Sequence, residues 1–320
     1  MAEVVNEDVV EQILIEIDVK DLIRFKTVCK SWHSLITSPG FVNRHLIRSY
    51  NKDRNNKEIG HRRIGLVNFH PYHHVGSSNG LICLASSSLY ADVKFSVANP
   101  LTREVTQLRD SPWKGFLLSL CWGFGYDSSI DDYKVMVGVE GATHKTCFKV
   151  LSLKSNVWRL VGVVKYSFIT KVGLLCNGAL HWIVRDENTE DMKNLIICYD
   201  LCKQEFIEIP LPEGARYEAC TSASSYISLG VMQECLCIFG RSHLGNAVWL
   251  MKTYNGKQSW ELLPSDHERK YDIFHHFRLP KDENDKSCFS ECLNYRIIQN
   301  RDQAPIFVQS LVSPYVNGRP

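Results

Sequence analysis

Between Asn6 and Leu46 the large apolar residues recur at helical spacing. Val9, Ile13 and Ile17, with Val10 and Leu14, form one broad apolar face, which predicts a helix that Asn6 is suited to cap. Asp18, with Asp21 three residues on, is suited to cap a second helix carrying Leu22, Phe25 and Val28. A third helix carries Trp32, Leu35 and Ile36 and stops near Ser38-Pro39, where proline cannot continue it. Three short helices stand near the lower limit for an independent core. They hold more large apolar residues than so small a bundle hides, so the surplus is to be covered by a partner or by the rest of the chain.

From Arg44 to Arg63, "RHLIRSYNKDRNNKEIGHRR" is basic and poor in large apolar residues. It reads as a solvated linker, with a nuclear localisation signal as the alternative. Beyond about Gly60 the period shifts to short alternating runs separated by turn residues. Strand–turn–strand units recur in "FSVANPLTREVTQL", "FKVLSLKSNVWRLV", "ICYDLCKQEFIEIP" and "MKTYNGKQSWELLP". Aligned on Val105, Trp158, Phe206 and Trp260, they are spaced by 53, 48 and 54 residues. Between them lie "GLICLAS", "YKVMVGV", "GALHWIV" and "CLCIFGR". An all-strand repeat near fifty residues predicts propeller blades, with a β-sandwich as the structural rival.

Composition narrows the function classes. The chain has 320 residues, 44% of them hydrophobic, and a net charge of +2 from 37 basic and 35 acidic residues. It can bury a core, and it carries no electrostatic footprint for nucleic acid. No run approaches the roughly 20 apolar residues of a membrane span, and the acidic "MAEVVNEDVVEQ" is unlike a signal peptide. A cytosolic or nuclear location follows, with the 12 cysteines reduced. Their spacing fits no zinc pattern, and the adjacent pairs His73-His74 and His275-His276 would point to opposite faces of a strand, so no metal or other cofactor is expected.

One stretch suggests an enzyme. Gly76-Ser77-Ser78-Asn79-Gly80 spells the G-x-S-x-G of a nucleophile elbow, which needs a buried strand before the serine and a helix after it. Here the polar "NFHPYHHV" precedes and the alternating "GLICLAS" follows. His181 lies inside a strand pattern, and no acid stands out as a third member. Asn79-Gly80 also recurs as Asn177-Gly178, so the motif reads as a turn. The acidic "GFGYDSSIDDYKV" lacks the glycine and closing glutamate of a calcium loop and reads as a hairpin. Trp113, Trp122, Trp158, Trp182 and Trp260 are expected in the core, with one or two at blade rims as binding anchors.

The run "DVKDLIRFKTVCKSWHSLITSPGFVNRHL" resembles the F-box of plant F-box proteins. In order along the chain, "SSNGLICL", "NPLTREVTQL", "GFGYDSSIDDYKVMVGV", "VLSLKSNVWR", "LCNGALHWI", "YDLCKQEFIEIPLP", "LGVMQECLCIF" and "VWLMKTYNGKQSWELL" resemble the signatures of the F-box-associated, kelch-like repeat domain. The resemblance implies a multidomain α+β fold. Residues 1–48 would form a three-helix F-box module, 49–64 a basic polar linker and 65–265 an all-β propeller-like domain, with an atypical and shortened last blade and tail at 266–320.

The resemblance also implies a non-catalytic substrate receptor of a Skp–cullin–F-box ubiquitin ligase. The module would dock on a Skp-type adaptor, and through it on a cullin scaffold, by Val5, Asn6, Val9, Ile13, Ile17, Asp18, Val19, Leu22, Val28, Cys29 and Trp32. The β domain would hold an unidentified target protein. Two family Leu-Pro pairs are replaced, by Val5-Asn6 and Ile17-Asp18, which bears on adaptor affinity. The alternative is a propeller-type binding protein that has left the ligase.

Overall fold

The computed structural model describes residues 7–55, 72–86, 93–111, 120–141, 145–187, 193–220, 226–232, 234–242, 245–253, 260–263 and 308–315. Val5, Asn6, Trp113, the His275-His276 pair and the expected shortening of the last blade lie outside them. Four helices begin the chain: α1 (Glu7–Ile15), α2 (Val19–Phe25), α3 (Lys30–Thr37) and α4 (Pro39–Asn55). The first three stand where the apolar period places them.

The fourth helix corrects the three-helix expectation. Pro39 ends α3 but also opens α4, because a first-turn residue needs no N–H and the fixed φ of proline suits that position. Ser38 caps the new helix. Its Oγ accepts from the Phe41 amide at 3.3 Å, and its carbonyl accepts from the Val42 amide at 3.0 Å. The boundary expected at residue 48 falls inside α4. Two of its basic residues are not simply solvated: Arg44 pairs with Glu11 and Arg48 with Glu16. Phe41, His45 and Leu46 are buried.

Among the described residues the strands form four antiparallel sheets. β1 (Tyr72–Ser78), β2 (Leu81–Ser86), β3 (Lys94–Asn99) and β4 (Glu104–Gln107) make the first. β5 (Leu120–Asp127), β6 (Asp132–Glu140), β7 (Thr146–Ser152) and β8 (Val157–Val164) make the second. In the third, β9 (Ser167–Phe168) joins β10 (Leu174–Cys176), β11 (Ala179–Arg185), β12 (Asn194–Asp200) and β13 (Glu205–Ile209). After the short α5 (Ala215–Cys220), the fourth holds β14 (Tyr226–Met232), β15 (Cys235–Ser242), β16 (Gly245–Met251) and β17 (Trp260–Leu262).

Within each sheet the four principal strands follow one another in chain order without a crossover. That is the meander of a propeller blade, whereas a Greek-key sandwich would send strands between sheets. The four repeat units are the third and fourth strands of the four sheets, and "GLICLAS" and its counterparts are the second strands. Turn chemistry repeats as well. Asn79-Gly80 and Asn177-Gly178 have φ of 51° and 80°, and 49° and 73°, the positive pair of a two-residue type I′ hairpin. Arg103, Asn156 and Gln204, also at positive φ, close the turns between third and fourth strands. Each donates its amide to the residue four positions back, Asn99, Ser152 or Asp200, at 2.8–2.9 Å.

The chain divides into two compact units, 1–114 with 305–320, and 115–304. In the first, the helices bury Leu14, Val19, Leu22, Ile36 and Phe41 in one cluster with Leu311 and, less deeply, Leu101 of the β3–β4 turn. The tail at 308–315 is held by Asn99. Its Nδ2 donates to the Ser310 carbonyl at 2.9 Å and to that of Val312 at 2.8 Å. Tyr315 donates its hydroxyl to the Val105 carbonyl at 3.0 Å.

In the second unit, the second and third sheets share a cluster with Met136, Phe148, Trp182 and Tyr199. The third and fourth share one with Ile183, Cys198, Ile238 and Trp249. Asp127 and Lys134 form a buried ion pair, and Lys134 also donates to the Leu201 carbonyl at 2.8 Å, fastening the second sheet to the third.

The two Asn-Gly turns offer a test of what the tail contributes. A methyl group at Gly178 would meet nothing within 4 Å, whereas at Gly80 it would lie 2.6 Å from the Val308 carbonyl oxygen and overlap Ser310. In urea denaturation, Gly178→Ala should lose about 1 kcal/mol, the cost of its left-handed backbone. Gly80→Ala should lose about 3 kcal/mol, since a backbone neighbour cannot yield cheaply. Equal losses would mean that the tail does not pack on this turn.

Candidate functional site

The core of the helical module is closed with Leu311 and Leu101, and the module still presents apolar side chains. Leu14 and Val10 turn inward from α1, while Val9 is 45% and Ile13 57% exposed. These two lie one turn apart on one strip, as i and i+4 residues do. Val28, in the turn between α2 and α3, is 60% exposed. Large aliphatics this open on so small a unit are candidates for a contact surface.

The other residues marked by the resemblance fall into three groups. Val19 and Leu22 are fully inside the helical core and cannot touch a partner in this conformation. Ile17 and Trp32 are half-buried at the core edge, Trp32 meeting Phe25 edge-on with ring centroids 5.6 Å apart. Asp18 and Cys29 are exposed at helix starts. Asp18 takes an extended backbone and accepts the Asp21 and Leu22 amides at 3.0 Å through its carbonyl, doing the work of a first-turn cap without its carboxylate. The Cys29 Sγ lies 3.3 Å from Ser31 Oγ, and that contact lowers the thiol's pKa.

The chain entering α2 is held from behind. His45, buried on α4, lies with Nε2 2.8 Å from the Ile17 carbonyl oxygen. The apolar period missed α4, whose Ile47 and Tyr50 add 53% and 39% exposed side chains to the module. A basic composition masked the signal, which is readable as Phe41-Val42 followed by His45-Leu46 one turn later. Asn99, Ser310 and Leu311 were missed too, because their partners are about two hundred positions away in the chain.

The enzymatic readings find no support in the geometry. Ser78 ends β1, paired with Leu81 across the Asn79-Gly80 turn, with a strand and not a helix after it. His181 is wholly buried on β11, its Nδ1 3.2 Å from the Leu174 carbonyl oxygen, and burial lowers its pKa to about 4. The three aspartates of the β5–β6 hairpin are spent internally. Burial alone would raise the Asp127 carboxyl, but hydrogen bonds from Lys134 and Ser129 hold it down to about 2. Asp131 pairs with Lys154 at 3.1 Å, and Asp132 accepts from Ser152 and from the Lys154 amide. Trp122, Trp182 and Trp249 are core residues, and Trp158 and Trp260 are half-buried on outer strands. Among the described residues no helix is long and apolar enough to cross a membrane.

Comparison with known proteins agrees with this architecture. The family described as the F-box associated beta propeller domain matches residues 48–304, and the F-box domain matches residues 6–44. F-box protein CPR1 of Arabidopsis thaliana is 28% identical, covering 79% of this chain and 70% of its own. F-box protein At3g07870 of the same plant is 26% identical with the same coverage. F-box/kelch-repeat protein At3g23880, also of that plant, is 28% identical over 81% of this chain and 78% of its own.

The buried imidazole of His181 has a thermodynamic consequence. Its folded pKa lies below the ordinary value of 6.5, so its stability is present above pH 6.5 and drains away as pH falls toward 4. Between pH 7 and pH 5 the loss from this one group should be about 2 kcal/mol. Denaturation of His181→Gln at the two pH values should show a pH dependence smaller by that amount. An unchanged dependence would mean that the imidazole is hydrated.

Proposed function

Because the chain belongs to the F-box-associated β-propeller family, with an F-box ahead of the repeat domain, we propose that it is a substrate-recognition subunit of a Skp–cullin–F-box ubiquitin ligase. The observation that carries this reading is the exposure of the large aliphatics Val9, Ile13 and Val28 on a helical module whose core is already closed with Leu311 and Leu101. A Skp-type adaptor covers that surface and links it to the cullin scaffold. Val19 and Leu22 shape the module from within, while Ile17, Trp32, Asp18 and Cys29 rim the contact; Val5 and Asn6, outside the described residues, are also assigned to adaptor binding. The sheets hold the target protein.

The chemistry is proximity. Holding a target lysine beside a ubiquitin-charged conjugating enzyme turns a bimolecular encounter into an effectively intramolecular one, with effective concentrations in the millimolar range. No side chain of this subunit takes part in bond making. The Ser78 turn, the neutral core His181 and the internally paired aspartates support that assignment. The subunit works in the cytosol or nucleus, where its free thiols stay reduced.

Co-purification of the full chain with a plant Skp-type adaptor tests the reading. Wild type should bring the adaptor down, and Ile13→Asp/Val28→Asp, which touches only exposed positions, should weaken capture at least about tenfold with folding intact. Wild-type failure would sink the ligase assignment and leave a free-standing binding protein. Undiminished capture by the variant would move the docking surface elsewhere.

A further inference from the structure

The outermost strands of the four sheets are not alike. β4 ("EVTQ") and β13 ("EFIEI") are four and five residues long, β17 ("WEL") is three within the described residues, and each carries a glutamate. Short length and charge are how proteins keep an edge strand from being covered. β8 ("VWRLVGVV") is eight residues long with a single charge. It exposes Leu160 at 65% and Val163 at 58% on one face, and Val157 at 40% beside Arg159 on the other, along an edge roughly 20 Å long at strand rise.

The charge around the strip is one-sided. Between Glu140 and Asp186 the chain has no acidic residue and seven Lys or Arg. Lys145 and Arg159 are exposed on or beside β8. The acids that approach from neighbouring elements are engaged: Asp131 by Lys154, Glu140 by Lys171 and Ser167, and Glu208 by the Tyr166 hydroxyl. A register shift between Phe148 and Lys149 leaves Val161 bulged from the ladder, which interrupts the edge as a template for an added strand. Contacts there come from side chains.

We infer that β8 is a target-docking strip for an extended, acidic segment bearing aliphatic side chains. This rests on the target-receptor reading and names the chemistry of its target. Alternate residues of the segment face the two sides of this edge: aliphatic ones cover Leu160 and Val163, and carboxylates meet Arg159 on the other side, with Lys145 adding to the attraction. The electrostatic part speeds encounter and is weakened by salt.

Selection of a random displayed dodecapeptide library on the immobilised full chain tests the inference. Selected peptides should be enriched in Asp or Glu alternating with Leu, Ile or Val. Synthetic copies should bind wild type at least about tenfold more tightly than Arg159→Glu/Leu160→Glu, and more weakly as salt rises. The exposed Val105→Glu on β4 serves as the matched control and should bind like wild type. Selection without acidic enrichment, or equal binding by the double variant, would overturn the assignment. So would a wild-type dimer in sedimentation velocity that the double variant dissolves, since the strip would then be covered by a second copy. Adaptor capture by the same proteins separates the two readings: loss of capture with peptide binding intact removes the ligase assignment and leaves the strip.

Discussion

Asn99 is fully buried, and all four hydrogen-bonding positions of its amide are used. Oδ1 accepts the Leu101 and Thr102 amides at 2.9 and 3.3 Å, shaping the turn after β3. Nδ2 donates to the Ser310 and Val312 carbonyls and so fixes the tail. A buried primary amide is costly unless all its donors and acceptors are met, and here the partners come from two remote stretches of chain. With the tail so placed, Leu311 enters the helical core beside Leu22 and Phe41, and Leu101 follows from the turn. The helices of the first unit are therefore closed by its sheet and tail, which supply apolar surface that a bundle of this size lacks.

The second unit uses a related device. Asp127 ends β5, and its partner Lys134 reaches onward to the Leu201 carbonyl beyond β12. A buried ion pair adds little net stability compared with apolar packing, because desolvation offsets most of its Coulombic attraction. What it provides is registry: a lysine with one carboxylate and one carbonyl to satisfy permits few arrangements of the two sheets. The apolar clusters between sheets supply the main driving force, with Trp182, Tyr199 and Phe148 as their large members.

These fastenings bear on the proposed function because a receptor works by position. The helical surface of Val9, Ile13 and Val28 is useful only if the residues behind it are fixed, and His45 and Phe41 of α4 do that from the inside. On the second sheet, the aliphatic and basic strip of β8 stands out because the equivalent strands of the other sheets are short and acidic. Repetition makes the exception visible: a common blade plan is followed four times, and one outer strand departs from it in length and charge.

Much of this was legible in the residues alone. The apolar period located α1 to α3, the fifty-residue repeat located the third and fourth strands of the four sheets, and the doubled Asn-Gly identified a turn where a serine nucleophile had been a rival. These are local properties, set by side-chain alternation and by the few residues that tolerate positive φ. The tertiary structure decided the rest. It turned part of a basic linker into α4, because Pro39 can open a helix as readily as end one and because apolar partners were available for Phe41 and Leu46. It moved Val19 and Leu22 from a docking surface into the core, since period alone does not say which apolar residues a partner covers. It also joined Asn99 to Ser310, a pairing invisible to any local pattern, because a buried amide takes its partners from whatever the fold brings within 3 Å.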